Sequence, residues 1–427
     1  MRILIYSYNY YPEPIGIAPL MTELAEGLVK RGHQVRVITA MPNYPERRIY
    51  KEYRNKLYLT EYKNGVQIQR SYVRIRPQPN LLDRILLDAS FVITSFLPAL
   101  NGWRPDVILT TSPSLPACIP TTLLGWLYNC PVVLNLQDIL PDAAIHLGLL
   151  KSKLLIKIFT ALEKFAYHTA TKISVISDGF VENLLAKNVE PNKIVQIPNW
   201  VDVNFIRPLP KENNIFRLTH NLNGKFVVLY SGNIALTQGL ETVVKAASRL
   251  RHIPDIAFVI VGEAKGLQRL QQECQNWGAD NVLLLPFQPR ERLPEMLAAA
   301  DVGLVVQKKN VISFNMPSKI QVLLASGRAI IASVPENGTA AKAIQKSSGG
   351  IIVPPEDSDA LAKAILHLYQ HPKKVITLGY NSRQYAVEQY AFEQALNQYE
   401  SLFQTLTTAG VLPANISSTV VVSKQQV

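Results

Sequence analysis

The sequence predicts an α/β fold with two domains, each a doubly wound parallel sheet, that face one another across a cleft. Short runs of apolar and β-branched residues alternate with amphipathic helical patterns, as they do when helices cover both faces of a parallel sheet. This alternation starts again about half-way along the 427 residues, after a segment of polar residues and prolines at 199–210, NWVDVNFIRPLP. With 48% hydrophobic residues, the chain can bury a core in each half. We therefore expect two similar Rossmann-like domains.

The individual elements follow from the local pattern. The predicted strands of the first half are RILIYS, QVRVIT, DVILTT, PVVLNL, KISVIS and KIVQIP. A helix is expected after the first strand because Leu20, Leu24 and Leu28 recur at four-residue spacing, and Gly32 suits its C-terminal end. The predicted strands of the second half are FVVLYS, IAFVIV, NVLLLP, VGLVV, AIIAS and GGIIV. The predicted boundaries are an N-terminal domain at 1–205, a C-terminal domain at 206–381, a final helix at 382–407 and a disordered tail at 408–427.

Composition points to the cytoplasm. The three cysteines, Cys118, Cys130 and Cys274, have no C-x-x-C spacing, which argues against a disulfide scaffold. The N-terminal apolar run is short and is interpreted as a strand rather than a signal peptide. The longest uncharged stretch, between Asp106 and Asp138, is interrupted by four prolines, so no membrane span is expected there.

The net charge of +12 is locally concentrated. Residues Arg47–Arg76 contain nine basic and two acidic side chains. Such a segment favours a polyanion, either anionic lipid or nucleic acid, or it is an ordinary solvated face. Tyrosines interleave with it, but it has no zinc pattern and no evident motif for stacking single-stranded bases, so nucleic acid is not the expected partner.

Ligands of open α/β sheets bind at the carboxyl ends of the strands, so the loops after strands are the candidate sites. In the first half, Gly16 would let the backbone approach a ligand ahead of a helix, or it belongs to an ordinary loop. The pair Gln137 and Asp138 follows a buried strand, where polar groups are costly to bury without a partner or a task. Asp138 would equally suit a helix cap.

In the second half, residues 232–239, here called the glycine loop, lie between a strand and a helix. The candidate residues in the loop are Gly232, Asn233, Gln238 and Gly239. The free N–H groups and partial positive charge of the helix N-terminus suit an anion, although no G-K-[ST] sequence is present. Lys319 follows Ser318 in the first turn of a later helix, where a positive charge interacts unfavourably with the helix dipole. That cost is offset if Lys319 and the helix N-terminus bind the same anion. A solvated lysine is the alternative.

Taken in this order, the segments resemble the GT-B glycosyltransferases of family 4, and within them the colanic acid and O-antigen type of sugar transferase. The segments that carry the resemblance are MRILIYSYNYYPEPIGIAP, LNLQDILPD, ISDGF, IPNWVD, YSGNIALTQGLETVVKAA, VGEAKGLQRL, AAADVGLVV, PSK and ASGRAIIAS. The resemblance as a whole covers residue 1 to about residue 405. The subgroup shares the TQGLE and PSK-x-x-x-x-LA-x-G forms.

The resemblance implies a retaining glycosyltransferase that moves a sugar from a nucleotide-sugar to a lipid-linked saccharide acceptor in exopolysaccharide or O-antigen-type biosynthesis. The implied donor-binding residues are Gly232, Asn233, Gln238 and Gly239 at the diphosphate, Ser318 and Lys319 beside it, Glu263 near the donor pocket, and Pro286 and Phe287 near the base. The implied acceptor side is at Gly16, and Asp138 with Gln137 takes the catalytic position.

The chain departs from the broader family at several of these positions. Asn233 and Gln238 stand where the family's phosphate loop usually has arginine and lysine. Gln137 stands where the family usually has a histidine before the position of Asp138. The usual paired glutamates fall near Phe314 and Val322. These departures leave open the identity of the sugar.

No metal or other cofactor is expected, because no D-x-D sequence lies near the proposed donor loops. Two alternatives stay open: a nucleotide-sugar epimerase of the same two-domain shape, and a non-catalytic polyanion-binding protein that uses Arg47–Arg76. A dinucleotide enzyme is disfavoured because G-x-G-x-x-G is missing after the first strand.

A basic amphipathic pattern lies at residues 151–164. Its apolar stripe consists of Leu154, Leu155, Ile158 and Leu162, and the lysines around it are Lys151, Lys153, Lys157 and Lys164. Such a helix is typical of a surface that binds anionic membrane, or its stripe packs into the domain core. With the resemblance, it predicts a cytoplasmic protein held peripherally at the inner face of the cytoplasmic membrane.

Overall fold

The computed structural model describes residues 1–14, 16–112, 114–142, 145, 150, 152–311 and 316–409. The first sheet contains β1 (Arg2–Tyr6), β2 (Gln34–Ala40), β3 (Tyr58–Lys63), β4 (Val66–Ser71), β5 (Val107–Thr111), β6 (Val132–Leu136), β7 (Lys172–Val175) and β8 (Ile194–Gln196), in the order β3-β4-β2-β1-β5-β6-β7-β8. The second sheet contains β9 (Phe226–Ser231), β10 (Ile256–Gly262), β11 (Val282–Pro286), β12 (Val302–Val306), β13 (Ala329–Ser333) and β14 (Gly350–Val353), in the order β11-β10-β9-β12-β13-β14.

Helices connect these strands. Those described in the first domain are α1 (Ile17–Lys30), α2 (Leu81–Ala99), α3 (Cys118–Tyr128), α4 (Lys153–Thr169) and α5 (Asp178–Ala186). Those described in the second domain are α6 (Ile215–Thr219), α7 (Glu241–Leu250), α8 (Ala264–Trp277), α9 (Leu293–Ala298), α10 (Lys319–Ala325), α11 (Thr339–Ser347), α12 (Ser358–Gln370) and α13 (Pro372–Gln389). The described chain ends with α14 (Phe392–Ala409).

Alternate residues of the central strands serve the two faces of each sheet. In β1, Ile3 and Ile5 pack in one core with α1 and α14, whereas Leu4 and Tyr6 pack in another with α2 and α3. A strand that is buried on both faces must be apolar throughout, which is why these strands appear in the sequence as continuous hydrophobic runs. The predicted fold class, two doubly wound α/β domains, is confirmed.

The first sheet is not parallel throughout, which corrects the expectation. Strand β3 runs antiparallel to β4 at the sheet edge, and neither strand was among those predicted. A two-residue turn joins them, in which Asn64 and Gly65 have φ values of 50° and 81°. Asn-Gly is the sequence that such a hairpin turn favours. This Asn-Gly pair lies within the basic segment Arg47–Arg76, which was interpreted from its charge and not from its turn residues.

The final helix predicted at 382–407 is in fact parts of two helices. Helix α13 packs on the second domain through Ala386, and α14 packs on the first domain through Leu396 and Phe403. Between them the Tyr390 carbonyl accepts a hydrogen bond from the Val201 N–H at 2.8 Å. One straight helix cannot bury apolar faces in both cores, so the chain bends there. Of the tail predicted at 408–427, residues 410–427 lie outside the described residues.

Candidate functional site

The two domains enclose a cavity of about 600 Å³, here called the interdomain cavity. Its lining includes, from the first domain, Gly16, Gln137, Asp138, Asn199 and Trp200, and from the second domain, Met316, Ser318, Gln321 and Val322. Several of these residues follow strands at the carboxyl edges of the sheets. The cavity therefore lies where ligands of such folds bind.

The glycine loop begins where β9 ends. Gly232 has a φ of 142°, a conformation that L side chains rarely adopt. A Cβ atom placed on Gly232 would lie 3.0 Å from Lys319 Nζ and 3.3 Å from Lys319 Cε. Glycine is therefore required here both by the backbone and by the close approach of the lysine.

The rest of the loop forms a short 3-10 turn at Leu236–Gln238 and reaches Gly239, whose φ is 64°. The Tyr230 hydroxyl donates a hydrogen bond of 2.6 Å to the Asn233 carbonyl, which holds the start of the loop against the end of β9. The Asn233 side chain is exposed, and the Gln238 amide oxygen lies 3.5 Å from the Tyr230 hydroxyl. These two side chains lie on the loop but supply no positive charge.

Lys319 supplies the charge at this place. Its Nζ lies 3.5 Å from the centroid of the Tyr230 ring, shielded from solvent, and has no hydrogen-bond partner among the described residues. Burial lowers the pKa of Lys319 to about 7. A buried amine without a partner is costly, and an anion bound at the glycine loop would remove that cost.

Glu263 supports the loop from behind. It is the residue before α8, and its carboxylate accepts hydrogen bonds from the Ile234 N–H at 2.9 and 3.2 Å. The Ile234 side chain in turn lies so close to Gly262 and Gly266 that a Cβ on either would fall within 2.6 Å of it. The described contact of Glu263 is thus with the loop backbone, which it holds in position.

Pro286 and Phe287 lie at the end of β11, on the outer side of β10. Pro286 pairs with Gly262 in the parallel register, so both follow the same edge as the glycine loop. The Phe287 side chain is 53% exposed. An exposed aromatic ring at this edge of the sheet offers a stacking surface for a base.

Gln137 belongs to a chain of amide contacts. Its Nε2 donates to Asn199 Oδ1 at 3.0 Å, and Asn199 Nδ2 donates to Gln137 Oε1 at 2.7 Å. Gln137 also donates to Asn135 Oδ1 at 2.9 Å, and Asn135 Nδ2 donates to the Tyr399 hydroxyl of α14 at 2.9 Å. From the second domain, Gln321 Nε2 donates to the Asn199 carbonyl at 3.0 Å. Gln137 is therefore held rigidly at the junction of the two domains.

Asp138 differs from its neighbour. Its side chain reaches the interdomain cavity, and its carboxylate has no hydrogen bond or ion pair within the described part of the chain. The surrounding protein raises the pKa of the Asp138 carboxyl, because desolvation disfavours its charged form. The backbone carbonyl, rather than the carboxylate, accepts from Ser112 Oγ at 3.2 Å. A carboxylate that caps no described helix is available to a ligand.

Gly16 and Ser318 occupy opposite walls of the cavity. Gly16 precedes α1 with a φ of 70°, and no atom lies within 4 Å of where its Cβ would be. Ser318 precedes α10, is exposed and makes no side-chain capping hydrogen bond. Both positions are open to a ligand in the cavity.

Sequence reasoning missed several residues of this site. Asn199 appeared only within the interdomain segment NWVDVNFIRPLP and the IPNWVD segment, and neither it nor Gln321 nor Tyr399 was a candidate site residue. Phe314 lies outside the described residues, and Val322 lines the interdomain cavity. The amide chain joins residues that are far apart in sequence, so no local pattern could reveal it.

The basic segment Arg47–Arg76 is not one uniform surface. Arg70 is buried and forms an ion pair of 2.5 Å with Glu61 across the β3–β4 hairpin, whereas Arg48, Arg54 and Arg74 are exposed. In the basic amphipathic helix, α4, Leu154 and Ile158 are 67% and 51% exposed. Leu162 packs against the core, and Lys151 lies outside the described residues. The apolar stripe is therefore only partly covered by its own domain.

The described residues include neither a membrane-spanning helix nor a cluster of metal ligands. No described helix combines the length and the apolar character needed to cross a membrane. No three His, Cys, Asp or Glu side chains in the described ranges are grouped as ligands of a metal ion would be.

Comparison with known proteins gives matches in both domains. The Glycosyl transferase 4-like domain family matches residues 16–200, and the Glycosyl transferases group 1 family matches residues 211–385. The chain is 33% identical to the putative colanic acid biosynthesis glycosyl transferase WcaI of Escherichia coli (strain K12) over 410 residues, which cover 93% of this chain and 98% of that protein.

Solved structures share the fold at lower identity. Sucrose-phosphate synthase from Thermosynechococcus elongatus has a TM-score of 0.71 and 19% identity, over 96% of this chain and 100% of that chain. Anabaena HepE in complex with UDP has a TM-score of 0.71 and 16% identity, over 95% of this chain and 100% of that chain.

Proposed function

Because the chain belongs to the GT-B glycosyltransferases of the family 4 type, we propose that it is a retaining enzyme that transfers a sugar from a nucleotide-sugar to a lipid-linked saccharide acceptor. The pathway would be exopolysaccharide or O-antigen-type biosynthesis. The name of the similar WcaI protein, which refers to colanic acid biosynthesis, supports the pathway. The UDP complex of HepE supports a nucleotide-sugar donor.

The observation that carries the proposal is the contact between Lys319 and the glycine loop. A shielded amine without a described hydrogen-bond partner lies against Gly232 at the carboxyl end of β9. The N-terminus of α7 follows the loop and adds a partial positive charge. We propose that together they bind the diphosphate of the donor, that Ser318 adds a hydroxyl to that site, and that Phe287 stacks on the base.

In the proposed reaction, an acceptor hydroxyl oxygen bonds to the anomeric carbon while the bond from that carbon to the donor phosphate oxygen breaks. The nucleoside diphosphate leaves with the electron pair and takes up the hydroxyl proton on its phosphate oxygen. Attack from the face of the leaving group retains the configuration and needs no protein nucleophile. Lys319 stabilises the negative charge that develops on the diphosphate.

Asp138 and Gln137 would act on the other reactant. The carboxylate of Asp138 faces the interdomain cavity without a described partner, so it can accept a hydrogen bond from a sugar hydroxyl. Gln137 is fixed by hydrogen bonds to Asn199 and Asn135, and it forms part of the cavity wall that would contact the sugar. Their work is to position the acceptor near the donor, which can contribute much of the rate enhancement.

The proposal includes a cytoplasmic location at the membrane surface. A lipid-linked acceptor requires contact with a membrane, and the exposed Leu154 and Ile158 with the exposed Lys153 and Lys157 give α4 an amphipathic face. Each basic group near an anionic surface contributes about 1 kcal/mol. A few such groups suffice for reversible attachment.

The test is donor binding. Purified protein is titrated calorimetrically with UDP-glucose, UDP-galactose, GDP-mannose, GDP-fucose and dTDP-rhamnose. Lys319→Ala should weaken binding of the preferred donor by roughly 1.5–3 kcal/mol, the range for a hydrogen bond to a charged group. The matched control is Lys363→Ala, which removes an exposed lysine of α12. Unchanged affinity in Lys319→Ala would remove this lysine from the donor site.

A further inference from the structure

The glycine loop, whose sequence is GNIALTQG, contains no basic side chain of its own. Any positive charge at the loop must therefore come from other segments of the chain. Lys319 lies against the first residue of the loop, Gly232. Lys308, in the segment after β12, lies against the last residue, Gly239. Resting on the proposed function, we infer that Lys308 is the second cation of the donor site and contacts the diphosphate together with Lys319.

The aliphatic stem of Lys308 lies across the end of the loop. A Cβ atom placed on Gly239 would lie 3.0 Å from Lys308 Cγ and 3.6 Å from Lys308 Cε. The Lys308 N–H also donates a hydrogen bond of 3.0 Å to the Thr237 carbonyl, which fixes the backbone beside the loop. The stem and the backbone thus hold Lys308 in place, while its ammonium group takes part in neither contact.

The charge of Lys308 is not balanced by the described part of the protein. No carboxylate in the described ranges forms an ion pair with its ammonium group, and Glu241, the first residue of α7, pairs with Arg269 at 3.7 Å. The N-terminus of α7 has a partial positive charge, so a lysine beside it is unfavourable. Leu240, which precedes α7, provides no side-chain cap there. An anion at the loop would compensate both the lysine and the helix end.

The end of β12 explains why Lys308 reaches the loop from the side of α7. Val305 packs in the core that includes α10, and Val306 packs in the core that includes α7. The Gln307 N–H donates a hydrogen bond of 2.9 Å to the Ser333 carbonyl, so the pairing with β13 continues past Val306. Because side chains alternate along extended backbone, Gln307 is directed toward α10 and Lys308 toward α7.

Gln307 gives a second, independent indication of a ligand. It is 3% exposed, and its Nε2 has no hydrogen-bond partner among the described residues. Lys319 Nζ is likewise shielded and without a described partner. Buried donors are rarely left unpaired, so two of them at the same edge of one sheet indicate a ligand that is rich in acceptor oxygens. A diphosphate supplies such oxygens and has a negative charge on each phosphate, which matches two lysines.

The experiment titrates the full chain calorimetrically with UDP, GDP and dTDP. Lys308→Met keeps an apolar stem against Gly239 and removes only the charge. We expect it to bind the preferred diphosphate at least tenfold more weakly than wild-type protein does, with a Kd that depends less steeply on KCl concentration. Lys308→Arg, which retains the charge, should stay within threefold of wild type. The matched control is Lys309→Met, which removes the charge of the exposed neighbouring lysine and should leave the affinity unchanged.

Three outcomes would overturn the inference: wild-type affinity in Lys308→Met, an equal loss in Lys308→Arg, or an equal loss in Lys309→Met. Nucleotide-sugars are titrated into the same variants, so that the two proposals are tested separately. If Lys308→Met binds diphosphates and nucleotide-sugars normally, the inference fails and the proposed function stands. If diphosphate binding depends on Lys308 but no nucleotide-sugar binds, the proposed function fails and the second cation remains. If wild-type protein binds no nucleoside diphosphate, both fail.

Discussion

Lys319 and Asp138 are both charged residues that the fold leaves without a described charged partner. The amine of Lys319 is shielded against Tyr230, and the carboxylate of Asp138 is open to the interdomain cavity. Desolvation shifts both pKa values toward the neutral form, down for the lysine and up for the aspartate. Titratable groups that lie in a cleft and have shifted pKa values indicate a functional site more often than a structural role.

Donor binding should be linked to protonation of Lys319. Burial lowers its pKa to about 7, so at pH 8 most of the free amine is neutral. A diphosphate favours the ammonium form, so binding at pH 8 should take up a proton, and binding at pH 6 almost none. The diphosphate of a nucleotide-sugar does not titrate in this range. Calorimetry in two buffers of different ionisation enthalpy measures the uptake, and Lys319→Arg, which stays protonated, should show none.

Removing the carboxylate of Asp138 should slow the reaction without unfolding the protein. We expect Asp138→Asn to retain its melting temperature and its donor affinity while turnover falls at least tenfold, because a neutral amide accepts a weaker hydrogen bond from the acceptor hydroxyl than a carboxylate does. Transfer of a labelled sugar to a lipid fraction measures turnover. Wild-type turnover in this variant would show that the carboxylate is merely structural.

At the scale of elements, the glycine loop owes its shape to its neighbours. The Glu263 carboxylate accepts a hydrogen bond from the Ile234 N–H, and the Tyr230 hydroxyl donates one to the Asn233 carbonyl. The Thr237 carbonyl accepts a third hydrogen bond, from the Lys308 N–H, at 3.0 Å. The loop is therefore set before a donor arrives. Such preorganisation lowers the entropy lost on binding.

Gly232→Ala should disturb this loop more than an ordinary positive-φ substitution does. The new Cβ would lie 3.0 Å from Lys319 Nζ, so the amine must move. We expect the KM for the donor to rise at least tenfold, with a loss of stability of about 1 kcal/mol or more. The control is Gly224→Ala, whose φ is 74° but whose Cβ would meet nothing within 4 Å. Equal effects of the two changes on KM would contradict a contact with Lys319.

At the scale of the whole molecule, α14 connects the end of the described chain to the site. It crosses to the first domain, where Tyr399 contacts Asn135 behind Gln137, while Gln321 reaches the Asn199 carbonyl from the second domain. Ion pairs between α5 and α11, Asp178–Lys346 at 2.7 Å and Glu182–Lys342, join the domains at another place. The geometry of the cleft thus depends on both domains.

The proposed contact of α4 with a membrane gives a testable orientation of the first domain. We expect Leu154→Glu/Ile158→Glu protein to lose at least nine-tenths of its binding to anionic vesicles at low salt, since two apolar contacts become charges of the same sign as the lipid. The control is Ile376→Glu/Tyr380→Glu, which alters two exposed residues of α13 in the second domain. Co-sedimentation measures the bound fraction. Wild-type protein that stays in the supernatant at low salt would refute membrane attachment and favour a soluble acceptor.

The sequence by itself determined the features that depend on neighbouring residues. Buried strands must be apolar on both faces, so their runs predicted two α/β domains, and Gly232 and Lys319 were found from the strand end and helix start on which they lie. That the glycine and the lysine meet is a consequence of the sheet order, in which β9 and β12 are neighbours and α10 follows β12. The sequence predicted each partner, and the fold brought them together.

Only the tertiary structure decided the features that join distant residues. Gln137 and Asn199 are 62 positions apart, and Asn135 and Tyr399 are 264 apart. Arg70 resembled its exposed neighbours in charge, yet pairing of β3 with β4 buried it beside Glu61. A cavity of about 370 Å³ in the first domain likewise unites the loop after β2, the segment after β6 and helices α2 and α4. Periodicity and propensity describe one segment at a time, whereas such contacts depend on which segments the packed core brings together.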